Sequence, residues 1–260
     1  MKTTKFWQLS SLLLLTGLVF MSSEISADLP GVIDRVRPSI VAVGTVQPTR
    51  RPVSIFNGTG FVVGGGKHII TNIHVIPNKL DFANKETIAV VSGRGKSAKA
   101  RTAELIARDD DHDLALLEIQ GEPLPALKIG NSDRVREGEE YAFTGFPIGM
   151  VLGLYPVTHR GIVSAQTPIV IPSTSSEQLT ASQIRKMRNP YTVFQLDAVA
   201  YPGNSGSPLY DTRTGDVVGV INSVFVKESK ETVLSSPSGI SYAIPAIYIT
   251  RLLQRAGLAN

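Results

Sequence analysis

The chain has 260 residues, enough for one large domain or two small ones. It contains no cysteine, which excludes a disulfide framework, a thiolate metal site and a lipid-bearing cysteine. A formal net charge of +4 is too mild to imply nucleic acid as a partner. In chain order, Lys2 and Lys5 precede an apolar run from Leu12 to Met21, and small residues follow from Ser22 to Ala27. This is the pattern of a signal peptide over residues 1–27, with cleavage after Ala27 and export to the periplasm or medium. An uncleaved anchor is the alternative. The run falls short of the about 20 apolar residues a spanning helix needs, so stable membrane insertion is not expected.

The remainder reads as all-β. Val41–Val43, Phe61–Val63, Ile88–Val91, Leu114–Ile119, Val217–Ile221 and Ile240–Ile244 are short runs of strand formers. Turn signals such as Gly64-Gly65-Gly66, Gly93-Arg94-Gly95 and Thr214-Gly215-Asp216 separate them. A polar break at Gly130-Asn131-Ser132-Asp133 divides the strands into two similar sets, predicting two β-barrels over residues 28–130 and 131–260. Helices are expected only within Ala181–Asn189 and over Ala246–Ala256, the second ending at Gly257. The basic run Arg94, Lys96, Lys99, Arg101 reads as a solvated loop face. The glycines around Thr59 miss the dinucleotide-binding spacing, and Gly66-Lys67 lacks the partner glycine of a phosphate-binding loop.

Chemistry concentrates at Pro202-Gly203-Asn204-Ser205-Gly206-Ser207-Pro208. Glycines at 203 and 206 permit a sharp turn that a Cβ would forbid, lifting one hydroxyl clear of the fold. The N–H groups of Gly203 and Ser205 can then converge as an oxyanion hole beside the Ser205 nucleophile. Such a hydroxyl needs a general base and a group to orient that base. Of four histidines, His68 opens a strand, His112 lies in the acidic turn Asp109–Asp113, and His159 precedes Arg160 in an apparently exposed segment. His74 follows Thr71-Asn72-Ile73 at a strand end, where an imidazole can face a cleft, and is the expected base. Asp113 heads the apolar strand Leu114–Ile119 and is the expected orienting acid; Asp109, Asp110 and Asp111 read as solvated turn residues. The acidic run lacks the spaced ligands and central glycine of a calcium loop.

Taken together, Thr71-Asn72-Ile73-His74-Val75, Asp113-Leu114-Ala115-Leu116-Leu117 and Gly203-Asn204-Ser205-Gly206 resemble the three motifs of chymotrypsin-fold serine proteases, in their order. The closest likeness is to the HtrA/Deg branch, echoed by Gly145-Phe146-Pro147-Ile148-Gly149, Gly161–Ala165 and Gly239–Pro245. The resemblance implies two perpendicular six-stranded β-barrels followed by a C-terminal helix. His74 and Asp113 would belong to the first barrel and Ser205 to the second. It implies a serine endopeptidase acting on polypeptides, with no metal or cofactor. Its primary pocket would be lined by Ala200, Ser223, Val224, Phe225 and Ile240.

Some residues depart from the family pattern. Ser207 stands where glycine is usual, as in glutamyl endopeptidases, yet the segment Asn222–Phe225 lacks the histidine that glutamate-specific pockets use. With no carboxylate between Val199 and Pro202, the expected preference is for small or medium aliphatic side chains before the scissile bond. Only 15 residues follow Pro245, so no PDZ domain is expected within the chain. The aromatics that knit family trimers are missing from Asp28–Ser54; a monomer is expected, with a trimer as the alternative. A protease-fold protein that binds polypeptides without turnover is the competing reading, and an esterase is a third.

Overall fold

The computed structural model describes residues 28–147, 153–169, 190–222 and 240–258. The expected signal peptide and the helix expected at 181–189 lie outside the described residues.

Apolar β-branched runs dictate the strands. Six of them, β1 (Ile40–Val46), β2 (Ser54–Val63), β3 (His68–Asn72), β4 (Thr87–Ser92), β5 (Lys99–Asp109) and β6 (Leu114–Ile119), close into an antiparallel barrel in the order 1-2-3-6-5-4. The next six are β7 (Glu140–Gly145), β8 (Val157–Pro168), β9 (Thr192–Asp197), β10 (Pro208–Asp211), β11 (Val217–Asn222) and β12 (Ile240–Pro245). They close in the order 7-8-9-12-11-10, the same topology repeated. The expectation of two six-stranded barrels is borne out. Each encloses its own apolar filling: Val43, Val62, Ile69, Val90 and Leu117 in the first, and Phe143, Val163, Phe194, Leu196 and Ile221 in the second. A third cluster, containing Phe61, Ile70, Leu114, Leu116, Tyr210 and Val220, draws on both barrels and fastens them together.

Two helices brace the junction. The C-terminal helix α2 (Ile247–Arg255) ends before Gly257 at φ +74°, as its periodicity predicts. It buries Ile249, Leu252 and Leu253, and it reaches back across the chain to the β5–β6 turn of the first barrel. The N-terminal helix α1 (Leu29–Val36) was not expected from the sequence. It is only eight residues long and buries just Val32 and Val36, so its apolar stripe is two residues wide. Those two side chains lie against Gly215 in the β10–β11 turn of the second barrel. Each terminal helix therefore packs on the barrel remote from it in sequence.

Candidate active site

The geometry begins at the paired ends of β3 and β6. Asn72 sits opposite Leu114 in that ladder, so His74, in the short 3₁₀ turn Ile73–Val75, and Asp113, one residue before Leu114, emerge at the same edge. Asp113 adopts φ +53°, a left-handed conformation that aspartate tolerates better than most residues. Its carbonyl accepts from the Ile73 N–H at 3.2 Å and the Asn72 Nδ2 at 2.9 Å, which fixes the corner. Its carboxylate then meets His74 twice. Oδ2 lies 2.6 Å from His74 Nδ1, and Oδ1 accepts the His74 backbone N–H at 3.1 Å. The Asp113 side chain is 17% exposed and that of His74 29%, so the pair is sheltered while the imidazole still reaches solvent. With Nδ1 engaged by the carboxylate, Nε2 is the ring nitrogen left for proton transfer.

The second barrel closes this corner. Asn222, the last residue of β11, donates from Nδ2 to Asp113 Oδ2 at 2.7 Å. Its neighbour Ile221 accepts from the Gly206 N–H at 2.9 Å and donates to the Ser207 carbonyl at 2.9 Å. The strand that touches Asp113 thus also holds the turn carrying Ser205. That turn is internally bonded, Asn204 N–H to the Tyr201 carbonyl at 2.9 Å and Ser207 N–H to the Asn204 carbonyl at 3.0 Å. Gly203 and Gly206 have φ of +100° and +87°, as a sharp turn requires, but the turn does not lift Ser205 clear of the fold: packed against β2, that residue is only 3% exposed. A Cβ on Gly206 would stand 1.9 Å from the Thr59 carbonyl oxygen, so the turn lies against β2 where only glycine fits.

Thr59 is the point of attachment. Its N–H donates to the Ser205 carbonyl at 2.8 Å, and its hydroxyl donates to the Gly203 carbonyl at 2.7 Å. The same hydroxyl oxygen accepts the Phe146 N–H at 3.0 Å, and the Thr59 carbonyl accepts from the Thr71 hydroxyl at 2.7 Å. Gly58, next to it, faces both Val75 and the Ser205 carbonyl. Serine turn and histidine turn therefore share one short stretch of β2. Thr59, Asn72 and Asn222 are the residues that sequence reasoning missed. The flanking glycines Gly58 and Gly60 were the available signal for Thr59.

Of the expected pocket residues, Ser223, Val224 and Phe225 lie outside the described residues. Ala200 donates its N–H to the Ser241 hydroxyl at 2.7 Å, and that hydroxyl donates to the Ala198 carbonyl at 2.5 Å, so the segment before the Ser205 turn is laced to β12. Ile240 is 43% exposed at the start of β12. Asp197 is exposed beside it.

Two other expectations need correction. His159 is not on an exposed surface. It stacks on Phe143 with ring centroids 4.9 Å apart and faces the Asn204 side-chain amide at 3.5 Å. Burial pushes its pKa down. Asp109 is not a solvated turn residue but is 6% exposed. Burial raises its pKa, and the opposing contacts from His112 and Arg255 outweigh that and hold it at about 2. Within the Ser205 turn, Asn204 Oδ1 and Ser207 Oγ are buried without a partner among the described residues. Among the described residues no group of three or more His, Asp and Glu is gathered as a metal site.

A model of the trypsin-like peptidase domain matches residues 58–220. The chain belongs to the trypsin-like peptidase family. Within the family its relatives carry HtrA and Deg names, as the motifs imply. A probable periplasmic serine endoprotease, DegP-like, of Pseudomonas putida (strain GB-1) is 30% identical over 204 residues, covering 77% of this chain and 35% of the relative. The mitochondrial serine protease HTRA2 of Bos taurus is 31% identical over 236 residues, covering 88% of this chain and 43% of the relative. Two solved structures of the HtrA-type protease AlgW with tripeptide superpose with TM-scores of 0.63 and 0.62 at 25% identity. They cover 87% and 89% of this chain, and 62% and 65% of their own. The chain thus spans about a third to a half of the length of the curated relatives it matches.

Proposed function

We propose that the chain is an exported serine endopeptidase whose catalytic residues are Ser205, His74 and Asp113. The observation that carries this reading is the His74–Asp113 contact at 2.6 Å, joined through Asn222 to the strand that holds the Ser205 turn. The Ser205 hydroxyl attacks the scissile carbonyl while His74 Nε2 takes its proton. His74 later returns that proton to the leaving amine, and water repeats the sequence on the acyl-enzyme. Asp113 holds the imidazole tautomer and stabilises the imidazolium; it stays ionised throughout. The N–H groups of Gly203 and Ser205 stabilise the oxyanion. The Gly203 N–H takes no partner among the described residues, and the Gly203 carbonyl is turned to Thr59.

The substrate is an unfolded or envelope polypeptide, cut after a small or medium aliphatic residue. Support comes from the apolar wall around Ala198 and Ala200, which packs on the second barrel's core, and from the exposed position of Asp197. Export rests on the run Leu12–Met21 and on the periplasmic naming of DegP-like relatives. Among the described residues no helix is long and apolar enough to cross a membrane. N-terminal sequencing of the exported protein should begin at Asp28; recovery of Met1 in a membrane fraction would identify an anchor.

Hydrolysis of unfolded casein by the wild-type chain and by Ser205→Ala tests the function. Loss of the nucleophile or base of a triad costs about 10⁴-fold or more. Equal rates in the two proteins would overturn the mechanism. Stoichiometric binding of casein without turnover by the wild type would favour the polypeptide-binding alternative.

A further inference from the structure

The turn that delivers Asp113 is gripped from outside its own barrel. Asp110 to Asp113 form the β5–β6 connection, and Asp109 at the end of β5 accepts the His112 N–H on Oδ1 at 3.2 Å. Asp109 Oδ2 stands 3.0 Å from His112 Nδ1 and also accepts from the Arg255 guanidinium at the end of α2. The His112 ring is stacked on Tyr248, also of α2, with centroids 3.7 Å apart and planes 21° from parallel. From the other side, Tyr191, at the entry to β9, presents its ring to His112 at 4.6 Å in an edge arrangement. The Arg251 guanidinium lies over the Tyr248 ring, 5.3 Å from its centroid. His112 is thus held between the second barrel and the terminal helix, and the very next residue is Asp113.

The placement has a mechanical consequence. Asp113 occupies a left-handed backbone conformation at φ +53°. Such a residue keeps its geometry only where its surroundings over-determine it. On the C-terminal side, the β3–β6 ladder supplies that constraint. On the N-terminal side, the constraint is Asp109 and His112, and their outside partners are Arg255, Tyr248 and Tyr191. We infer that Tyr248 and Arg255 of the C-terminal helix are positioning residues for the reaction, acting through His112 and Asp109 on the orientation of the Asp113 carboxylate toward His74. The packing of the terminal helix then sets how much of the chain is catalytically competent, and a change at the helix end is felt at the triad without touching substrate.

Asp109 is suited to the role of a fixed strut. It is nearly enclosed, and against the cost of that burial its contacts with His112 and Arg255 hold its carboxyl pKa at about 2. The cavity beside it, about 490 Å³ and lined by Asp109, His112, Arg251, Gln254 and Arg255, leaves the Arg255 end of the strut open to solvent. Truncation there removes a contact without leaving a sealed void, so the fold should survive it.

The inference rests on the peptidase reading, and its test separates the two. Purified full-length Arg255→Ala, Tyr248→Ala, Arg255→Lys and Tyr248→Phe are compared with wild type and Ser205→Ala in a peptide hydrolysis assay. Misplacing a reacting group by 1 Å can cost about 100-fold. A partial loosening should therefore lower kcat about 10-fold in each alanine variant. KM should stay within about 2-fold, since no substrate contact is lost. The lysine and phenylalanine variants keep the charge and the stacking ring and should recover most of the rate. In parallel, proton NMR follows the downfield resonance of the His74 Nδ1 proton in its bond to Asp113. That signal should broaden or move in the two alanine variants and stay put in the conservative ones. Unchanged kcat and an unchanged resonance in both alanine variants would overturn the inference. If wild type and Ser205→Ala hydrolyse peptide equally, the peptidase reading fails instead, and the resonance still decides whether α2 positions Asp113.

Discussion

Replacing Thr59 by valine keeps the shape of a fully buried side chain and removes only its hydroxyl. That hydroxyl donates to the Gly203 carbonyl at 2.7 Å and accepts the Phe146 N–H at 3.0 Å. Both partners would be left without the bond in a site closed to water. A buried polar group deprived of its partner costs about 1–3 kcal/mol, so the two together should cost about 2–6 kcal/mol of stability. Domains of this kind are stable by about 5–15 kcal/mol, so the variant should still fold. The loss should also be seen in turnover, because the Gly203 carbonyl is what Thr59 fixes, and the Gly203 N–H is the donor proposed for the oxyanion. One oxyanion donor is worth about 100- to 1000-fold in kcat, and a misaimed one should forfeit about 10-fold or more of that. Urea unfolding gives the first number and steady-state hydrolysis the second. Thr59→Ser, which keeps both hydrogen bonds, should stay close to wild type in turnover. If Thr59→Val unfolds within about 0.5 kcal/mol of wild type, a typical surface-mutation effect, and turns over at the wild-type rate, the role assigned to Thr59 is wrong.

Asn222→Ala removes one of three donors to the Asp113 carboxylate, a charge-assisted bond worth about 1.5–3 kcal/mol, so kcat should fall about 10- to 100-fold with little change in KM. Acid should unfold the chain partly through Glu86. The hydrogen bond from Thr45 is the main cause of its carboxyl lying at about 2 rather than 4.5, with help from the Asp81 N–H and Arg50 against the cost of burial. Because its folded value is lowered, its contribution is complete above about pH 4.5 and is lost as pH falls toward 2; it amounts to about 3 kcal/mol at most. Thermal melts at about pH 5, 3 and 2 should show a steeper fall for wild type than for Glu86→Gln; parallel curves would rule Glu86 out as a source. Fragment mapping of a digested unfolded protein should find cuts after Ala, Val or Leu with a broad preference, each methylene contributing about 1–3 kcal/mol. Cuts chiefly after Glu, or after Lys and Arg, would overturn the pocket reading.

What the sequence makes legible is local. Val41–Val43 or Leu114–Ile119 declare themselves as strands because β-branched and apolar side chains recur in short runs between turn residues. His74, Asp113 and Ser205 stand out as candidates because each sits at the end of such a run beside glycine, asparagine or a charged turn, and the structure brings the first two into contact. The repeated strand order of the two barrels leaves no trace as a sequence repeat, because topology constrains only which positions face inward, and many side chains satisfy that. Long-range partners are invisible for a related reason. Asp109 looks like any exposed acid in Arg108-Asp109-Asp110-Asp111 until Arg255, 146 residues away, covers it. His159 likewise appears exposed beside Arg160, yet strand alternation turns it inward onto Phe143 across the β7–β8 ladder. Asn222 reads as a strand residue of the pocket; only the approach of the two barrels brings its amide to Asp113.

The claim that Ser205 is an activated nucleophile is tested most directly by labelling with a fluorophosphonate, which reacts with a serine only where a base and an oxyanion hole are assembled around it. Peptide mapping by mass spectrometry should place one adduct per chain on Ser205, with labelling abolished in Ser205→Ala and lost in His74→Ala. An unlabelled wild-type chain, or equal labelling of wild type and Ser205→Ala, would contradict the account.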